Sequence, residues 1–284
     1  MRVHHLNGGT MRPVGGGLLD GGPGLLRRAE LVCHCLLIEH DTGLILVETG
    51  IGERGARTPA QWLGPQFAVL TNPVRDVEQT VGRQIEALGF DRSDVRDIVL
   101  THLDLDHAGG LVDFPNARVH VHATELDAAR NASGLVAQQR YVTAQFAHGP
   151  DWRTYSETGE SWFGFDAVRD LEGLPPSILL IPLAGHTRGH TGVAIETGDG
   201  WLLHAGDAYM NAGEVDLDRP RTPPLTRFFE NVMQALPAER RANLQRLQQL
   251  RRDHSDAVTI FCAHDGSELQ AMRDREPAPG PQGS

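Results

Sequence analysis

The sequence predicts a layered α/β protein. Short apolar runs rich in β-formers recur from Leu31 to Cys262, and stretches with helical spacing lie between them. The chain has 284 residues, 40% apolar and 22% charged. That is enough to bury the core of one large domain or two small ones, and it argues against disorder.

Taken in order, the arm up to Arg28 is Gly-rich and weakly periodic, so it reads as loop or strand-edge material. His4 and His5 have no partner motif and read as surface or edge residues, with a dimer contact as the alternative. Residues 31–38 and 44–49 form two strands around an Asp-Thr-Gly turn. Alternation puts Cys33 and Cys35 on one strand face, as buried thiols rather than a soft metal site. The stretch holding Pro59, Trp62 and Pro65 reads as a loop that could border a site entrance. Val77 to Leu88 has helical spacing at Val81, Ile85 and Leu88, with Gly89 as the stop.

A strand to Leu100 then leads into Thr101-His102-Leu103-Asp104-Leu105-Asp106-His107-Ala108-Gly109-Gly110. Such a turn can aim imidazole and carboxylate groups at one point, a common ligand set for divalent zinc, iron or manganese. Val119 to His122 alternates, and His120 with His122 reads as a polar strand face. Thr124 to Arg130 and Leu135 to Gln145 look helical. Between His148 and Gly173, Trp152, Tyr155, Trp162, Phe163 and Phe165 gather in polar sequence, as either a satellite cluster or a wall of a substrate pocket. Ile178 to Leu183, Gly192 to Glu196, Trp201 to His204 and Val258 to Cys262 are strands, the middle pair joined by Thr197-Gly198-Asp199-Gly200. Two helices, Thr226 to Leu236 and Ala238 to Arg252, are separated by Pro237. Residues 276–284 read as a flexible tail.

Composition also narrows the partners. A formal net charge of −11 and the lack of a basic cluster argue against nucleic acid and anionic membrane surfaces. No apolar run suits a membrane span, and the first residues lack the apolar core of a secretory signal. Three cysteines make no disulfide framework, and a cytoplasmic location is expected. Cys262 reads as wall beside the His264 segment.

The turn at His102 resembles the signature of the metallo-β-lactamase superfamily of metal-dependent hydrolases, usually His-x-His-x-Asp-His. It matches at His102, Asp106 and His107, with Asp104 at the usual second His. Later landmarks match in order: His186 in Ala-Gly-His, Asp207 in Ala-Gly-Asp, and His264 in Cys-Ala-His. The resemblance implies an αββα four-layer sandwich over residues 1–275, with a helical and aromatic insertion around 124–173. It implies one metal held by His102, Asp104 and His186, and another by Asp106, His107 and His264, with Asp207 bridging. The pair would be zinc first, with iron or manganese accepted more readily than at an all-His site because Asp104 offers a harder oxygen; the alternative is that Asp104 binds poorly and leaves the first site weak or empty. Asp106 would also act catalytically, orienting the nucleophilic hydroxide and shuttling its proton. Glu48 stands where the family often has Asp, and would hold loop backbone near the metals. His190 would support the ligand loop.

Tyr209 resembles a tyrosine that assists at the substrate carbonyl in acyl-homoserine lactonases, at a spacing one residue shorter; the alternative is a phenol packed under the strand end. A bridging Asp207 disfavours antibiotic hydrolysis. The resemblance therefore points to a hydrolase of a small ester or lactone. The alternatives are a thioesterase of the glyoxalase II type, a phosphodiesterase, a di-iron redox member with a separate flavin partner, or a lapsed metal-binding scaffold. The Gly-rich arm permits a homodimer without requiring one.

Overall fold

A computed structural model describes residues 1–156, 159, 161–165 and 169–276. The strands are β1 (Arg2–Met11), β2 (Leu31–His40), β3 (Gly43–Val47), β4 (Val95–Val99), β5 (Arg118–His122), β6 (Asp151–Tyr155), β7 (Arg169–Asp170), β8 (Ile178–Pro182), β9 (Thr191–Thr197), β10 (Gly200–His204) and β11 (Val258–Phe261). They form two mixed sheets, ordered β1-β2-β3-β4-β5-β6 and β11-β10-β9-β8-β7. In the first, β1, β2 and β3 pair antiparallel, while β3 through β6 pair parallel. In the second, the one parallel pair is β10 with β11.

Alternation along β2 explains the layering. Leu36 and Ile38 face the other sheet and pack with Ile45, Val47 and Val99 against Ile178, Leu180, Val193, Ile195 and Phe261. Cys35 and Leu37 face outward with Leu46 and Ile98, and are covered by Val81, Ile85 and Leu126. Strands buried on both faces read as continuous apolar runs, which is what Leu36-Leu37-Ile38 and Leu44 to Val47 are.

The helices flank this sandwich. They are α1 (Gly17–Asp20), α2 (Gly52–Arg57), α3 (Pro59–Trp62), α4 (Pro65–Thr71), α5 (Val81–Ala87), α6 (Ala123–Arg130), α7 (Leu135–Arg140), α8 (Pro224–Met233), α9 (Pro237–His254) and α10 (Gly266–Arg273). On the outer face of the second sheet, Leu247 and Leu250 of α9 cover Leu203, Val258 and Ile260. Helices thus lie on both outer faces of two stacked sheets, the αββα arrangement. Each fully buried aliphatic side chain contributes roughly 1.5–3 kcal/mol relative to exposure. No helix among the described residues is long and apolar enough to cross a membrane.

Several local expectations are corrected. The start of the arm, Arg2–Met11, is the edge strand of the first sheet, longer and more regular than its composition suggests, with a register shift between Asn7 and Thr10. A Cβ at Gly8 would lie 2.8 Å from Cys35 Sγ and from Gly50 Cα, so only glycine allows this approach. His4 and His5 are buried: His4 Nε2 lies 2.7 Å from Glu39 Oε1, and His5 Nδ1 lies 2.8 Å from His34 Nε2. His120 is also buried, between Asp97 Oδ1 at 2.8 Å and the Tyr155 hydroxyl at 2.7 Å. The expected loop around Trp62 is helical, with a proline opening both α3 and α4.

Trp162 and Phe165 join the outer cluster of the second sheet, with Trp162 and Trp201 centroids 5.5 Å apart and the Arg246 guanidinium 4.2 Å over Phe165. Trp152 instead packs on the outer cluster of the first sheet and Tyr155 lies between the sheets, so the five aromatics form no single satellite cluster. Glu276, expected in the tail, accepts a 2.7 Å hydrogen bond from the His5 amide. The rest of the expected tail, 277–284, lies outside the described residues.

Candidate metal centre

The ligand-type residues emerge from strand ends along one edge of the sandwich. Past β4, the 102–107 turn is held by Glu48, a residue in left-handed conformation (φ 65°) just beyond β3. Its buried carboxylate accepts from the Thr101 amide at 2.6 Å and lies 2.8 Å from His107 Nδ1. That contact puts the His107 proton on Nδ1 and frees Nε2 to face inward. Glu48 therefore holds backbone and imidazole. His264, past β11, is treated alike, because its Nδ1 lies 2.7 Å from the Val32 carbonyl.

Asp207 is the centre of the arrangement. Its Oδ2 lies 3.2 Å from His264 Nε2, 3.5 Å from His186 Nε2 and 3.9 Å from His102 Nε2. Its Oδ1 lies 3.4 Å from His107 Nε2. Asp104 Oδ2 lies 3.0 Å from His186 Nε2 and 3.5 Å from His102 Nε2, and Asp106 Oδ2 lies 3.6 Å from His264 Nε2. All seven side chains are buried. Ligand atoms of His102, His186 and Asp207, and of His107, Asp207 and His264, lie within 4.8 Å of one another.

Four buried atoms here have no hydrogen-bond partner: His102 Nε2, His107 Nε2, Asp104 Oδ1 and Asp207 Oδ1. Their nearest charged neighbours are longer contacts, Arg140 Nε at 3.3 Å from Asp104 Oδ1 and His107 Nε2 at 3.4 Å from Asp207 Oδ1. Four in one nest, lined by imidazole nitrogen and carboxylate oxygen, fit divalent cations. The electrostatics agree. Burial opposes a charged Asp207, yet the His264 and His107 imidazoles hold its carboxyl well below the usual carboxylate range. Burial likewise opposes a charged His107, but Asp207 and Glu48 raise its imidazole well above the ordinary value. The carboxylates are thus favoured as anions, a charge complementary to cations.

A supporting ring fixes these groups. His190 Nε2 accepts from the Asp207 amide at 2.9 Å while its Nδ1 lies 3.2 Å from the Leu183 carbonyl, so His190 supports the loop. Gly206 (φ 53°) must be glycine, since a Cβ would fall 2.6 Å from His190 Nε2.

Two residues were missed by sequence reasoning. Glu125 of α6 is fully buried, and its carboxylate accepts from the Leu103 and Gly189 amides, both at 3.0 Å, joining two ligand loops. Arg140, at the end of α7, donates to the His186 and Met233 carbonyls at 2.7 Å each, and its Nε lies 3.3 Å from Asp104 Oδ1. On sequence alone, Glu125 reads as first-turn helix charge and Arg140 as last-turn charge. An unusual Asp104, which adds a charge needing a partner, was the available signal.

Tyr209 is corrected. Its ring is fully buried in the outer cluster and its hydroxyl donates to the Glu268 carboxylate at 3.0 and 3.1 Å. That geometry spends the phenol on packing, as the alternative reading held. A cavity of about 500 Å³ opens beside His264, lined also by Asp20, Arg27, Arg28, Leu31 and Met210. None of the expected wall aromatics lines it.

The Metallo-beta-lactamase superfamily model matches residues 28–245. The chain belongs to the metallo-β-lactamase superfamily. It is 40% identical over 274 residues to a probable metallo-hydrolase of Mycobacterium tuberculosis, covering 96% of this chain and 83% of the relative. An N-acyl homoserine lactonase of Rhizobium radiobacter is 30% identical over 168 residues, 58% of this chain and 60% of that one. Among solved structures, an N-acyl homoserine lactone hydrolase with N-hexanoyl-L-homoserine at its catalytic metal center superposes with a TM-score of 0.69. It is 21% identical and the match covers 95% of each chain. A dizinc quorum-quenching lactonase gives a TM-score of 0.61 at 18% identity, covering 92% of this chain and 86% of that one. These likenesses match the αββα layering of this metallo-β-lactamase-fold chain.

Proposed function

We propose that this metallo-hydrolase opens a small lactone or ester, using two divalent cations, zinc first. The observation that carries the reading is Asp207, whose two oxygens face imidazoles from both halves of the cluster. His102, Asp104 and His186 would hold one cation, and Asp106, His107 and His264 the other, with Asp207 shared. The cations, when bound, supply a water activated near neutral pH and polarise the carbonyl oxygen. Asp106, buried at the second half, takes the proton of the attacking water and returns it to the leaving alkoxide as the acyl C–O bond breaks. Glu48, Glu125 and His190 keep the ligand loops in place, and the cavity beside His264 admits the acyl compound.

The lactonase of Rhizobium radiobacter supports the substrate class, since it matches this chain across much of its length. Three free, buried cysteines suit a reducing cytoplasm. The test pairs metal content with turnover of lactones, aryl esters, thioesters and phosphodiesters. Two metals per chain with lactone or ester turnover, lost in Asp207→Ala and His107→Ala, is the expected result. Turnover of thioesters or phosphodiesters alone would overturn the substrate class, and one metal per chain would overturn the dinuclear assignment.

A further inference from the structure

The second half of the cluster contains a group with no role so far. Cys33 lies near the start of β2, where the strand is registered on the His264 segment from both sides. The His34 amide donates to the Ala263 carbonyl at 2.9 Å, and His264 Nδ1 lies 2.7 Å from the Val32 carbonyl. The Cys33 amide itself donates to Asn7 Oδ1 at 3.2 Å. Alternation then turns Val32 and His34 one way and Cys33 the other. The result is a buried sulfur beside the ligand cluster, 2% exposed. Cys33 Sγ, a carboxylate oxygen of Asp106 and a ring nitrogen of His264 lie within 4.8 Å of one another.

This thiol does not stand alone in an apolar wall. His264 Nε2, freed by the contact of Nδ1 with Val32, also faces Asp207 at 3.2 Å. Around the same imidazole, Asp207 Oδ1 and His107 Nε2 are buried without hydrogen-bond partners. The groups nearest Cys33 are Asp106 and His264, and His264 joins them to the unpartnered atoms of Asp207 and His107. Cys35, two residues on, shares the strand face but packs with Leu6 and Leu37 in an apolar cluster, and its Sγ lies 3.4 Å from the Cys33 carbonyl.

We propose that Cys33 is a thiolate ligand of the second cation, beside Asp106, His107 and His264. This rests on the two-cation reading above and adds a chemical difference between its halves. As the sulfur–metal bond forms, the Sγ–H bond breaks and its proton leaves to solvent. The half built from His102, His186 and Asp104 offers nitrogen and hard oxygen, which suits manganese or iron as well as zinc. The half containing Cys33 is softer, and prefers zinc, cobalt or cadmium over manganese.

The test uses the full chain, stripped with chelator and titrated with cobalt(II), read by optical absorption. Wild type with two cobalt ions is expected to show a near-ultraviolet sulfur-to-cobalt charge-transfer band besides the visible bands. The Cys35→Ser, Cys262→Ser double variant, in which Cys33 is the one remaining thiol, keeps that band. Cys33→Ser loses it, keeps visible bands and binds the second cobalt about tenfold or more weakly. Two bound cobalt ions without the near-ultraviolet band, or a band that survives in Cys33→Ser, would overturn the proposal and leave the dinuclear reading standing. A chain that binds no cobalt sinks both. Should Cys33→Ser fail to fold, the double variant decides, because a band there can come only from Cys33.

Discussion

Replacing Arg140 by Met should destabilise the metal-free protein far more than the metal-loaded one. The guanidinium is buried, donates to two carbonyls and lies 3.3 Å from Asp104 Oδ1. Without metal, Arg140→Met leaves the Asp104 carboxylate buried with its cationic partner gone, a loss of about 3–5 kcal/mol. With cations bound, the carboxylate is neutralised and the loss reduces to that of the two backbone hydrogen bonds. Arg140 and a cation would neutralise the same carboxylate, so removing one strengthens the effect of the other. At about 2–4 °C per kcal/mol for a chain of this size, a difference of ~3 kcal/mol is about 6–12 °C in Tm. The assay is thermal unfolding of stripped and zinc-loaded wild type and variant. Zinc should raise the variant's Tm by that much more than it raises the wild type's. Equal losses in both states would refute the reasoning and separate Arg140 from the metal centre.

Three further outcomes are expected. Tyr209→Phe should leave turnover at the wild-type level and cost about 1 kcal/mol in urea unfolding, for one hydrogen bond to Glu268; a large fall in kcat with stability unchanged would restore the tyrosine to catalysis. Glu125→Ala strands the Leu103 and Gly189 amides, costing about 1–3 kcal/mol for each. It should lower stability and turnover together, and an unchanged Tm would count against it. Burial, reinforced by His204 and Arg273, holds the His5 imidazole down to about 3, against 6.5 when unfolded. The unfolded chain binds the extra proton, so stability is full above pH 6.5 and lost as pH falls toward 3, at about 1.4 kcal/mol per pH unit. Urea midpoints measured from pH 7 to pH 4 should show a shallower fall in His5→Gln, and identical slopes would exclude His5 as a source.

Much of the metal centre was legible because its chemistry depends on residue type at strand ends. The turn after β4 announces itself by residue type, while His186, Asp207 and His264 were named from the resemblance to the metallo-β-lactamase signature, and the structure brings the seven side chains together. Arg140 and Glu125 were illegible for the opposite reason. Their meaning comes from which distant backbone they reach, and a charge at a helix end looks the same whether it faces water or a ligand loop. The histidines of β1 read as surface or edge residues for want of a partner motif, while here His5 Nδ1 meets His34 Nε2 at 2.8 Å inside the sandwich. The stretch holding Pro59, Trp62 and Pro65 read as a loop, yet Pro59 and Pro65 open helices at positions where no amide proton is needed.

The placement of the ligands has a kinetic consequence. His102 follows β4, His186 follows β8, Asp207 follows β10, and His264 follows β11, the last strand, which pairs parallel to β10. Long-range pairings of this kind form slowly, because chain entropy must be given up before contacts compensate. A chain still emerging from the ribosome therefore has its histidines and carboxylates but no cage to hold them. On the two-cation reading, the half that needs His264 is completed only when β11 docks, whereas His102, Asp104, His186 and Asp207 all precede that strand.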